Sequence, residues 1–398
     1  MKLIKVGLGR GFPAIGAILF NLLVASRLSI EKADIFFFWF TVLYILSFFG
    51  RLGFDIYVLR DISSGRLSSA TQAKNTAFLV STVLSIGALF FAERDIWWLL
   101  LSLPFFSVAG INSSILRAEG KELLGGALET SLLSSLAFLE LAAFLLFQFK
   151  IDIELISLSF FLSAAVVFFA GEILVGGSHT VAIRKGLISI SEIRSGLRFV
   201  PSPLMIYLAQ WIAVFFLSAV GSGAVSIYSV AVRLASGFAF VAITIDAFVA
   251  PRFAKYLHDG DKAGVRALIN SVRKMSILFL GAGYLIYVAL GGYFIEWLVG
   301  VEYLQAFYIS LLVAVSYCFM LFVGPYQYLL LMGGEEYKVA LCNGISLIVM
   351  VLGGATLWFA SVEDVWAYAC VLVVSRFVSV MMMRHFSLKT ILGGEHVK

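Results

Sequence analysis

Eight ionisable residues, Arg51, Asp55, Glu129, Glu140, Glu172, Arg233, Asp246 and Arg376, stand inside apolar runs long enough to cross a bilayer. A charged side chain at mid-bilayer costs about 2.5–3.5 kcal/mol on insertion scales, so such groups must pair with one another or face a polar cavity. Each type suggests its own chemistry. An arginine offers a planar fork of N–H donors to phosphate, carboxylate or acidic sugar, whereas a carboxylate can take up H+ or Na+.

Arg51 and Asp55 are four residues apart and would share a face of one helix. They read either as a mutual ion pair or as an anion-binding guanidinium oriented by its carboxylate, and the two readings are compatible. Arg233 has no acid within four residues. It needs a partner on another helix or a cavity, and is the leading candidate for substrate contact. Glu129 and Glu140, eleven residues apart, would point the same way about 16 Å apart along one helix. Two carboxylates so placed suit an H+ or Na+ path, or pairing with Arg233 or Arg376. Glu172 and Asp246 lie toward helix ends, where snorkelling to the interface is the default. Arg376 is deeper and can line a cavity. Trp211, near mid-span, either packs or stacks on a sugar ring.

The elements that must position these groups follow from hydropathy. Apolar segments near 11–28, 35–59, 75–92, 96–116, 123–148, 154–177, 199–220, 224–250, 273–292, 304–332, 337–360 and 364–384 predict twelve membrane-spanning helices. Of the 398 residues, 61% are hydrophobic and 13% charged, against about 25% charged in a soluble chain. There is no room for a separate soluble domain. The first span follows Lys2, Lys5 and Arg10 and is expected to stay uncleaved.

Between the spans, 22 Lys and Arg fall on one side and 4 on the other, with three inside spans. The bias places both termini in the cytoplasm of a multi-pass protein. Trp39, Trp97, Trp98, Trp297, Trp358 and Trp366 cluster at the opposite ends, as interfacial anchors do. The net charge of +5 is spread over short loops and is no nucleic-acid signal. Cys318, Cys342 and Cys370 have no metal spacing, and His179, His258, His385 and His396 lie in loops or at helix ends. No metal site is expected. Walker A, HExxH, GxSxG and CxxC patterns are absent, and GLGRG at 7–11 lacks the strand–helix context of a dinucleotide site. The outward loops are too short to carry the catalytic groups of a polymerase or glycosyltransferase, so no enzyme is expected.

The chain reads as two halves, 1–190 and 191–398, of six spans each. Ala33 to Asp55 and Ala224 to Asp246 are both 22 residues, and both aspartates lead into a charged stretch. Pro13 opens the first span; Pro201 and Pro203 open the seventh. Six spans per half make the repeat parallel.

Three stretches carry a resemblance: GRLGFDIYVLRDIS at 50–63, IYSVAVRLASGFAFVAITIDAFVAPRFAKY at 227–256 and WLVGVEYLQAFYISLLVAV at 297–315. They resemble the polysaccharide-biosynthesis flippases (O-antigen or lipid-linked oligosaccharide) of the multidrug/oligosaccharidyl-lipid/polysaccharide exporter superfamily, called MOP. The resemblance implies an all-α protein of two pseudo-symmetric six-helix bundles around a central cavity, working by alternating access in a bacterial inner membrane. It implies an undecaprenyl-diphosphate-linked oligosaccharide as cargo. Arg233, Arg51 and Arg376 would then bind substrate, with Trp211 beside them, while Glu129, Glu140 or Asp55 would serve ion coupling. No cofactor is expected beyond a coupling H+ or Na+. Expected partners are the lipid-linked oligosaccharide, membrane lipid and other envelope-glycan assembly proteins. The first span carries only Arg27, at its end, and lacks the buried Arg–Asp pair of peptidoglycan-precursor flippases, which argues against lipid II as cargo. The alternatives are a multidrug or small-solute cation antiporter of the same fold, and a membrane scaffold without transport of its own.

Overall fold

The computed structural model describes residues 2–63, 69–128, 130–176, 186–221 and 223–393, with side chains for all of these except 2–12, 63, 130, 131, 242–244, 246–248, 250, 251 and 254. Glu129, His179, His396 and the side chain of Asp246 lie outside the described residues.

Every predicted span is mainly helical where it is described, with breaks inside several of them. In a bilayer the backbone must bond to itself, and a helix does so within one segment. The first half holds α1 (Lys2–Arg27), α2 (Ile30–Arg51), α3 (Phe54–Ser63), α4 (Ala70–Leu89), α5 (Trp97–Leu101), α6 (Leu103–Ala118), α7 (Glu122–Ala127), α8 (Thr130–Leu146), α9 (Ile153–Val175) and α10 (Ile190–Leu197). The rest holds α11 (Pro201–Trp211), α12 (Ala213–Leu217), α13 (Ala224–His258), α14 (Lys262–Leu298), α15 (Leu304–Val323), α16 (Tyr326–Met332), α17 (Glu336–Phe359) and α18 (Val365–Thr390). Several spans are therefore made of two helices: α2 with α3, α5 with α6, α7 with α8, α11 with α12, and α15 with α16.

Among the described residues, eight helices are long and apolar enough to cross a membrane unaided, and a ninth forms if α10 and the α11–α12 stretch, bent by 48°, count as one. Two shorter apolar stretches, Pro13–Arg27 and Leu132–Leu146, flank these. Helix α4 is not among them: its first two turns carry Thr71, Lys74, Asn75 and Thr76, all buried.

Aspartates start several helices. Asp152 accepts from the Leu155 N–H at α9, Asp261 from Gly264 at α14, and Asp364 from Trp366 at α18. Each satisfies a donor that a helix N-terminus leaves orphaned. Ser189 and Glu192 form a reciprocal capping box at α10. Inside the spans, hydroxyls bond back to a carbonyl three or four residues earlier, as Thr41 does to Phe37 and Ser157 to Ile153.

The chain forms two compact units, Met1–Leu204 and Met205–Lys398. Helix α10 packs on α3 and so goes with the first unit; the division falls within α11, beyond the 190/191 boundary read from the sequence. In the first unit α6 is the hub, packed by α3, α4 and α9, and its span is 89% buried. A ring cluster of Phe20, Phe36, Phe40 and Phe160 fills the space nearby, with centroids 5.3–6.1 Å apart. In the second unit α13 packs on α15 and α17 on α18, over a core that includes Val249, Phe253, Ile269, Leu321 and Leu329. The long α14 lies at the edge of this unit, with 11% of its span buried.

A candidate substrate cavity and the buried charges

The second unit encloses a cavity of about 300 Å³ lined by residues of α11, α13 and α15 to α18. Its wall exists because α15 stops early. Gly324 takes φ 132°, Pro325 cannot continue a helix, and the chain restarts as α16 at Tyr326. Gln210, Ser316, Gln327, Asn343, Ser346 and Ser379 add polar groups to an aromatic and aliphatic lining, and Arg376 is the one charged residue among the described lining residues.

Arg376 is held entirely by neutral groups among its hydrogen-bond partners. Its Nη2 donates to Gln210 Oε1 and to the Tyr317 hydroxyl, both at 2.8 Å, and Nη1 donates to Ser316 Oγ at 3.0 Å. The guanidinium carbon lies 4.0 Å from the Tyr317 ring centroid. Gln210 is itself fixed: Tyr317 donates to its side chain at 3.2 Å, and Tyr228 donates to its backbone carbonyl at 2.8 Å. These contacts occupy three of the five guanidinium donors. They orient the guanidinium through neutral groups, with no carboxylate among these partners.

Arg233 does not line this cavity. It is 9% exposed, donates to the Ser229 carbonyl at 3.3 Å, and sits with its guanidinium carbon 4.4 Å from the Trp211 ring centroid. Trp211 is 6% exposed. The two residues flagged separately in the sequence thus meet, and the arginine lies over one face of the tryptophan ring.

Arg51 and Asp55 do pair, at 3.4 Å, but not as neighbours on one unbroken helix. That expectation is corrected by the chain break at Leu52 and Gly53, whose φ values of 51° and 74° end α2 before α3 begins. Arg51 also donates to the Ser47 carbonyl at 3.2 Å and hydroxyl at 3.0 Å, and lies over Phe48 at 5.2 Å. The pair is partly buried, 12% and 26% exposed.

Glu172 does not snorkel. It accepts from Lys74 Nζ at 2.7 Å and from Asn112 Nδ2 at 2.9 Å, while Lys74 also donates to Asn112 Oδ1 at 3.0 Å. Lys74, which reads as a loop cation in the sequence, is fully buried in the second turn of α4. The signal for this cluster was present but faint: Gly171, beside Glu172, leaves just enough room for the Asn112 side chain to approach α9. Glu140 accepts from Ser163 at 3.1 Å, and its Oε2 is buried without a hydrogen-bond partner among the described residues. Its alignment with Glu129 falls outside the described residues. No cluster of His, Cys, Asp or Glu among the described residues could hold a metal ion.

No family model and no curated protein sequence matches the chain. Solved structures do match it in shape. An inward-facing multidrug resistance MATE family transporter of the MOP superfamily superimposes with TM-score 0.75 at 15% identity, over 97% of this chain and 98% of that one. A MOP superfamily transporter from Pyrococcus furiosus, described as having a binding pocket of reverse polarity, gives 0.68 at 14% identity over 98% and 94%. The lipid II flippase MurJ, in an inward closed conformation, gives 0.66 at 16% identity over 97% and 88%. At such identities the likeness shows the fold. This is a multi-pass, all-α membrane protein with the twelve-helix, two-unit architecture of MOP-superfamily transporters.

Proposed function

We propose that the protein is a flippase for a lipid-linked oligosaccharide, moving an anionic, hydroxyl-rich head group across a membrane by alternating access. The observation that carries this reading is Arg376: a cation lining a cavity of about 300 Å³, held by Gln210, Ser316 and Tyr317, with no carboxylate among the described lining residues. A sugar diphosphate cannot leave water for hydrocarbon unless its charges and hydroxyls find new partners. A guanidinium with donors to spare meets the phosphate, and the surrounding amides and hydroxyls meet the sugar. A cavity built for cations would reverse this, with carboxylates where Arg376 stands. Within the first unit, Arg51, paired with Asp55 at 3.4 Å, is a further guanidinium of the kind an anionic head group would use. Glu140, with one buried oxygen unpartnered, is the described carboxylate best placed to take up a coupling H+ or Na+.

A second reading, a multidrug or small-solute antiporter, has one observation in its favour. The same cavity is lined by Tyr317, Tyr326, Tyr328, Met320 and Met383, a surface that suits flat apolar compounds. One experiment separates the two. Proteoliposomes carrying the protein are loaded either with a fluorescent polyprenyl-diphosphate oligosaccharide or with ethidium. Flipping of the diphosphate lipid, reduced about ten-fold or more in Arg376→Ala and partly kept in Arg376→Lys, supports the flippase. Ethidium transport with no movement of the lipid replaces it with the antiporter.

A further inference from the structure

The first unit contains a charged cluster that the cavity does not use. Lys74 on α4 is fully buried, and its ammonium is gripped by Glu172 of α9 at 2.7 Å and by Asn112 of α6 at 3.0 Å. Asn112 closes the triangle through its own bond to Glu172 at 2.9 Å. One carboxylate and one amide oxygen converging on a single positive centre is the oxygen-donor arrangement that also suits a small monovalent metal ion. Helices α6 and α9 come this close because position 171 is a glycine, where a side chain would meet Asn112. Neighbouring groups tie the start of α4 down further: Asn75 donates to the Gly186 carbonyl at 3.0 Å, and Thr76 Oγ1 accepts from the Ile188 N–H at 3.0 Å.

A lysine is an odd choice for a merely structural role here. Its long stem gives up much rotamer freedom and its charge loses its water; a leucine would avoid both costs but would leave the Glu172 carboxylate without its cation. The position makes sense if the oxygen cage needs a positive charge that must not leave.

We propose that the Lys74 ammonium is a tethered cation occupying an alkali-ion site formed by Glu172 and Asn112, so that the first unit holds permanently the charge that a free Na+ or K+ would otherwise supply. Removing the ammonium opens the cage to an exchangeable ion.

The test compares wild type, Lys74→Ala and Lys74→Ala/Glu172→Gln, each full length in detergent, by thermal unfolding in NaCl, KCl or choline chloride at equal ionic strength. Lys74→Ala is expected to unfold earlier than wild type in choline and to regain at least about 5 °C in NaCl or KCl. Wild type and the double variant are expected to show no difference between the salts, because one has its site filled and the other has lost its carboxylate. If Lys74→Ala cannot be recovered from choline, its monodisperse yield in NaCl serves as the readout. Equal instability in every salt, failure to fold in any of them, or the same salt response in the double variant would each overturn the proposal.

Discussion

At the scale of single residues, the arginines divide by what holds them. Arg376 is held by the neutral oxygens of Gln210, Ser316 and Tyr317. Arg233 spends its guanidinium face on Trp211, 4.4 Å away, in a setting that is almost dry. A desolvated cation–π contact is worth about 2 kcal/mol. Arg233→Met should therefore lower the unfolding temperature, and Trp211→Leu should do so as well. Made together, they should cost about 1–2 kcal/mol less than the sum of the two, because the second change removes a contact the first has already broken. A double-mutant cycle by thermal unfolding measures this coupling. Strict additivity would mean that the stacking contributes nothing to stability. The sequence could not show this contact, since Arg233 and Trp211 are 22 positions apart and meet only through the packing of α11 and α13.

The elements were far more legible than their interruptions. Twelve apolar stretches must be helices in a bilayer, so hydropathy alone locates them. Where a helix breaks depends on contacts that no local pattern records. The break between α2 and α3 illustrates this. Gly53 sits at φ 74°, and a Cβ there would run into the Gly196 carbonyl oxygen on α10; in return, a Cβ on Gly196 would lie 2.7 Å from the Leu52 carbonyl. Two glycines far apart in the chain thus let two backbones touch, which fixes the α2–α3 break and with it the approach of Asp55 to Arg51. Gly53→Ala and Gly196→Ala should each destabilise the first unit, the former by about 1–2 kcal/mol from the left-handed backbone alone, with the collision added. Both should lower the unfolding temperature, whereas alanine at Gly87, where nothing lies within 4 Å, should leave it unchanged or raise it. The buried start of α4 was misread for a related reason. Lys74, one position before the span read from residue 75, looks like a loop residue until Glu172, nearly a hundred positions later, supplies the partner.

For the whole molecule, orientation rests on charge. Lys74 does not belong in the topology count, because its ammonium is bound within the first unit and not to lipid head groups or water. Removing it changes the asymmetry from 22 against 4 to 21 against 4, so the bias survives the correction. With an even number of spans, both ends of the chain are expected on the side with the cations. Alkaline phosphatase, which is active only after export, should be inactive when fused after Lys398 and active when inserted at Ser361, in the turn between α17 and α18. A fluorescent protein fused after Lys398 should be bright. The opposite pattern would require an odd number of crossings between the turn and the first span, and the segments most at risk are the two that hydropathy supports least. These are α4, weakened by its buried polar turns, and the bent stretch around α10 and α11. Inserting the phosphatase at Phe90, after α4, and at Gly221, after α12, would then show which of them fails to cross.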